Sequence, residues 1–73
     1  MITVKCFARY RALLGFTEMD VPAAPTMGEL LAAPAFASLP KDALLAVNQA
    51  FADRTTPLVD GDEVALMPPV SGG

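Results

Sequence analysis

Seventy-three residues, 53% hydrophobic and 18% charged, have the composition of one small folded domain rather than of a disordered chain. A chain of this length buries only about 60 to 65% of the surface it exposes when unfolded, so function is expected on the surface and not in an enclosed cavity. Five Lys and Arg against eight Asp and Glu leave a net charge of −3, which provides no basic stripe for nucleic acid and suits a basic protein partner.

Ile2 to Phe7 alternate with period two, which places Ile2, Val4 and Cys6 on an inward face and Thr3, Lys5 and Phe7 on an outward one. From Arg9 to Leu14 the period changes: Tyr10, Leu13 and Leu14 fall on one helical stripe, and Gly15 supplies a left-handed terminator. Thr17 to Val21 alternates again, with Met19 and Val21 in register, and pairs as a second strand with the first; Pro22 and Pro25 end it. Thr26-Met-Gly-Glu29 has the form of a capping box, with the Thr26 hydroxyl accepting from the Glu29 amide and the Glu29 side chain reaching back to the cap amide. The helix it opens carries Met27, Leu30 and Leu31, and Pro34 ends or kinks it.

Ala35 to Pro40 shows no period. Ala43 to Val47 is a short apolar run that suits a central strand, and Phe51 follows on a shorter extension. Asp60-Gly61 marks a turn, and Glu63 to Met67 is the last strand, with Val64 and Leu66 inward. The order of elements predicts an α+β domain in which one main helix covers a mixed sheet, a β-grasp arrangement, over residues 1–67.

Residues 68–73, Pro68-Pro69-Val70-Ser71-Gly72-Gly73, are expected to form an extended, flexible tail. Two prolines hold a polyproline-like shape, and two glycines leave the end without side chains, slim enough to enter a narrow channel in another protein and present a carboxyl group there.

Missing residue types limit other chemistry. There is no His and only one Cys, so neither a Ser-His nor a Cys-His nucleophile pair can be built, the usual zinc ligands are lacking, and no internal disulfide can form. Cys6, inward by parity, reads as a small hydrophobe. Asp60, Asp62 and Glu63 read as an acidic turn and not as a metal site. The start of the chain lacks the features of a signal peptide. The most apolar stretch, Leu30 to Leu39, is broken by Pro34 and too short for a bilayer, so a cytoplasmic location without a membrane partner is expected.

Val47-Asn48-Gln49, Asp60-Gly61-Asp62-Glu63-Val64, the Pro-Pro-Val-Ser-Gly-Gly end, and Phe7-Ala8-Arg9, Arg11 and Leu13-Leu14-Gly15 together resemble the small-subunit family of molybdopterin synthase. The resemblance runs from one end of the chain to the other and departs between the capped helix and Val47, where that family has a longer segment. It implies a ubiquitin-like β-grasp sulfur carrier with no catalytic site and no bound cofactor. An activating enzyme would use ATP to adenylate Gly73, which then becomes a thiocarboxylate. The carrier would deliver this sulfur to a pterin precursor in the large synthase subunit, in molybdenum cofactor biosynthesis. On this reading Gly73 carries sulfur, Gly72, Ser71 and Val70 pass through the partner's channel, and Pro68 and Pro69 set the projection. Other readings are a sulfur carrier for another product such as thiazole, a ubiquitin-like modifier, and a binding module with an incidental tail.

Strand parity turns Phe7 and Met67 outward near the tail, and with Phe51 they form a candidate docking patch for the large subunit. The alternative for Phe7 is a place under the short helix. Arg11, on the polar side of that helix, either pairs with the partner or is simply solvated.

Overall fold

The computed structural model of the chain describes residues 1–69. Strands β1 Ile2–Cys6, β2 Glu18–Val21, β3 Leu44–Val47, β4 Ala50–Ala52 and β5 Glu63–Met67 form one mixed sheet in the order β2-β1-β5-β3-β4. β1 and β5 run parallel, whereas β1 with β2, β3 with β5 and β3 with β4 are antiparallel. The chain's first and last strands therefore lie side by side inside the sheet, and β5, not β3, is its central strand.

Strand alternation is realised in both of these strands. Ile2, Val4 and Cys6 of β1 and Val64 and Leu66 of β5 are buried, and the residues between them are only half-buried. Registers Val4 with Val64, Cys6 with Leu66 and Leu66 with Leu45 align their side chains in rows across one sheet face. That face is covered by helices α1 Tyr10–Leu14 and α2 Met27–Leu31 and by a 3₁₀ turn at Pro34–Phe36. Tyr10, Met27, Leu30, Leu31, Phe36 and Leu58 complete a single core cluster.

The cover differs from the expected single main helix, since α1 and α2 are each five residues long. In α1, Arg9 is the N-cap and Gly15, at φ 85°, stops the helix with its amide on the Arg11 carbonyl. Tyr10 is buried and Leu14 partly so, but Leu13 is 47% exposed. At about 100° per residue, Leu13 and Leu14 lie on opposite sides of Tyr10, and so short a helix rolls toward one of them.

In α2 the Thr26 hydroxyl accepts from the Glu29 amide at 3.2 Å. The reciprocal bond from Glu29 to the cap amide is not formed among the described residues, and the remaining donors of the first turn go elsewhere. Met27 N donates to Thr56 O at 2.9 Å and Gly28 N to Arg54 O at 2.8 Å. Leu58 N in turn donates to Pro25 O at 3.0 Å, beside a bridge between Thr26 and Pro57. Amides that a helix start leaves unpaired are thus satisfied by the loop before β5.

The stretch without a period resolves through Pro34, which opens the 3₁₀ turn and drives Phe36 into the core, where its ring meets Phe16 edge-on at 6.1 Å. Asp60-Gly61 is a turn leading into β5, with Gly61 at φ 92°, and does not join two paired strands.

Gly28 marks the closest approach of α2 to this loop, since a Cβ there would sit 3.0 Å from the Arg54 carbonyl oxygen. By helix propensity alone Gly28→Ala gains up to about 1 kcal/mol. We expect it instead to lower the melting temperature, because backbone must move and the 2.8 Å bond from Gly28 N must stretch; thermal unfolding followed by circular dichroism decides the sign.

Candidate functional site

The sheet face opposite the helices is open. Register carries one row across it from Glu18 through Lys5, Ala65 and Ala46 to Phe51. Phe7, just past β1, donates its amide to Leu66 O at 3.1 Å, which sets it beside the end of β5. A groove of about 390 Å³ lies on this face. Phe7, Met67 and Phe51 supply its large apolar side chains, and Ala46 and Ala65 contribute only methyl groups between them. Lys5, Glu63 and Gln49 complete the lining.

Phe7 and Met67 are half-buried and Phe51 is 80% exposed, the most exposed of the large hydrophobic side chains among the described residues. Sequence parity thus assigned Phe7 to the correct face, and it is not tucked under α1. Arg11 is not brought to the groove. It is exposed on α1, and its Nε donates to Cys6 O at 3.2 Å. Pro68 and Pro69 continue from Met67 and are half-buried. Val70, Ser71, Gly72 and Gly73 lie outside the described residues.

Polar groups around the groove are largely committed. Lys5 Nζ stands 3.2 Å from Glu63 and 3.9 Å from Glu18, exposed pairs that fix side-chain direction more than they stabilise. Asp62 is part of a clamp: one carboxylate oxygen accepts from Asn48 Nδ2 and the other from the Val59 amide, both at 2.9 Å. The Glu63 amide donates to Asn48 Oδ1 at 3.0 Å, and the Asn48 amide to Glu63 O at 2.8 Å. The hydrogen bond from the Val59 amide, and after it that from Asn48, holds the Asp62 carboxyl below the usual carboxylate range. Thr55, through its hydroxyl and its amide, lowers Asp53 in the same way. Burial pushes the Cys6 thiol up, which keeps it protonated and unreactive at neutral pH.

The chain matches the ThiS family over residues 4–73. It is 42% identical over 81 aligned residues, spanning 100% of both chains, to the molybdopterin synthase sulfur carrier subunit of Escherichia coli. The chain belongs to the ThiS family. Its fold is that of ubiquitin-like β-grasp proteins. The crystal structure of SAMP1 from Haloferax volcanii superposes with a TM-score of 0.76 at 30% identity, over 99% of this chain and 98% of that one. In the complex of subunits 1 and 2 of the molybdopterin-converting factor from Helicobacter pylori, the matching chain gives a TM-score of 0.70 at 27% identity, over 99% and 97%. Among the described residues no helix is long and apolar enough to cross a membrane.

Strand parity had already turned Glu63 and Ala65 outward with Met67, whereas sequence reasoning missed Ala46 and Gln49 as parts of the groove. Ala46 sits in the unbroken apolar run of β3, which has no period to show its face. Gln49 carries a different signal, a two-residue connection without glycine.

Because the folded state holds Asp62 and Asp53 below their ordinary values, the stability they contribute is present above about pH 4 and is lost as pH falls through and below that range. Urea unfolding measured between pH 7 and pH 2.5 is expected to show this decline, with a shallower slope in Asp62→Asn, which has no charge to lose at that site.

Proposed function

We propose that this chain is the sulfur carrier subunit of a molybdopterin synthase, that its open sheet face docks on the large synthase subunit, and that the carboxyl group of Gly73 carries the sulfur. The observation that carries the reading is the position of the groove. Phe7, Met67 and Phe51 gather on the uncovered face where β5 passes into Pro68-Pro69, so a partner that covers the groove also meets the start of the tail. The 42% identity to a sulfur carrier subunit along both chains supports it.

The chemistry belongs to the tail and to its partners. A carboxylate is a poor electrophile, so an activating enzyme joins it to AMP from ATP with release of pyrophosphate. A persulfide sulfur attacks the acyl carbon and expels AMP, and a thiol then cleaves the sulfur–sulfur bond to leave the thiocarboxylate. Inserted into the large subunit, this end donates sulfur to a pterin precursor. Gly72, Ser71 and Val70 pass through a channel that a bulky side chain would block, and Pro68 and Pro69 stiffen the exit from β5. The carrier itself supplies no catalytic group and binds no cofactor, and the reading places it in the cytoplasm. A modifier joined to lysines would use the same activation and differ in the fate of Gly73.

After incubation with the activating enzyme, ATP and a sulfur donor, intact-mass and tail-fragment spectra should show one oxygen replaced by sulfur at Gly73. Gly72→Val should abolish sulfur transfer with little change in melting temperature. Sulfur on Cys6, or full transfer by the Gly72→Val variant, would sink the proposal.

Phe7→Ala and Met67→Ala should each weaken binding to the large subunit by roughly ten- to a thousand-fold, as interface anchors do. Since both face away from the core, the unfolding free energy should fall by less than about 1 kcal/mol. Calorimetric titration beside urea unfolding separates this from a core role for Phe7, in which stability is lost and binding per folded molecule is kept.

A further inference from the structure

Asn48 and Gln49 form the two-residue connection between β3 and β4, with φ 51° and 71°. Positive φ at both positions is the signature of a tight hairpin turn that favours Asn followed by Gly. Asn tolerates this region through local hydrogen bonding, and here its amide group is locked to Asp62 and Glu63. Gln49 has no such compensation. Its side chain is exposed and makes no hydrogen bond among the described residues, so the fold gains nothing from it that glycine would not supply with less strain. Yet Gln49 lines the groove with Phe51, Phe7 and Met67.

We infer that the Gln49 side-chain amide is a recognition element for the large synthase subunit, held at the groove in a strained turn that the Asn48, Asp62 and Glu63 clamp fixes in place. The inference rests on the carrier reading above and adds to it a polar specificity contact. Lys5 and Glu63, the other polar lining groups, already pair with each other. The Gln49 amide is the uncommitted donor and acceptor among the described lining residues. When a partner covers an apolar groove, an amide there must be paired or its desolvation counts against binding, so the matching surface must offer a complementary backbone or side-chain group. A rigid turn presents that amide with little ordering left to occur on association.

The test uses the full chain and the purified large subunit, with calorimetric titration for affinity and thermal unfolding for stability. Gln49→Gly relieves the turn and removes the amide. It is expected to raise the melting temperature by about 2 to 6 °C while weakening binding by roughly 5- to 30-fold. Gln49→Ala removes the amide but keeps the backbone stiff, and should weaken binding by a similar factor without raising the melting temperature. Binding within about twofold of wild type in Gln49→Ala overturns the inference while leaving the carrier reading intact. A lower melting temperature in Gln49→Gly also overturns it, since the side chain would then support the fold. A wild-type chain that does not bind the large subunit overturns the carrier reading and this inference together.

Discussion

Parallel pairing of β1 with β5 is the constraint from which the rest of the molecule follows. Two strands from opposite ends of the chain can lie side by side only if everything between them is packed on one face or added at the flanks. The helices take the face, β2 takes the flank beside β1, and β3 with β4 takes the flank beside β5. Parallel direction also brings the carboxyl ends of β1 and β5 to the same edge of the sheet. Phe7 and Met67, sixty positions apart in the sequence, become neighbours there, and Pro68-Pro69 departs from the same place.

The covering layer is thin for a domain of this size. Helices of five residues are far too short to be stable in isolation, so α1 and α2 exist because their apolar sides close on the sheet. Tyr10 and Met27 are almost completely buried, and the loop before β5 takes over the hydrogen bonds that the start of α2 cannot make internally. Phe36 closes the remaining gap from a single 3₁₀ turn and meets Phe16 across it. Loop, turn and helix start therefore act as one unit, and Gly28 is the point where their backbones come together.

Opposite that layer the sheet is left open, and its composition divides into an apolar groove and polar residues around it whose charges are mostly spoken for. Lys5 lies between two glutamates, and Asp62 spends both oxygens on the turn. The acidic run at 60–63 thus has a local structural purpose. It holds the Asn48-Gln49 turn against the start of β5, and so fixes the hairpin that carries Phe51.

Much of this was legible from residue order alone, because it depends on short-range physics. Period-two alternation assigned the faces of β1 and β5, including the outward turn of Phe7 and Met67. The Thr26 hydroxyl cap and the terminating Gly15 located helix ends, and Cys6 was placed inside by parity. The pairing of β2 with β1 was legible as well, and tertiary structure alone decided how the remaining strands pair. It alone turned Leu13 to solvent while Leu14 packed, sent the amides of Met27 and Gly28 to Thr56 and Arg54 in place of a full capping box, and carried Phe36 into the core from a stretch without a period. It likewise left Arg11 away from the groove and gathered Ala46, Ala65, Glu63 and Gln49 around it. Local periodicity records only which side of its own segment a residue faces. Pairing between distant strands, and the closeness of one backbone to another, arise from burial that the whole chain shares.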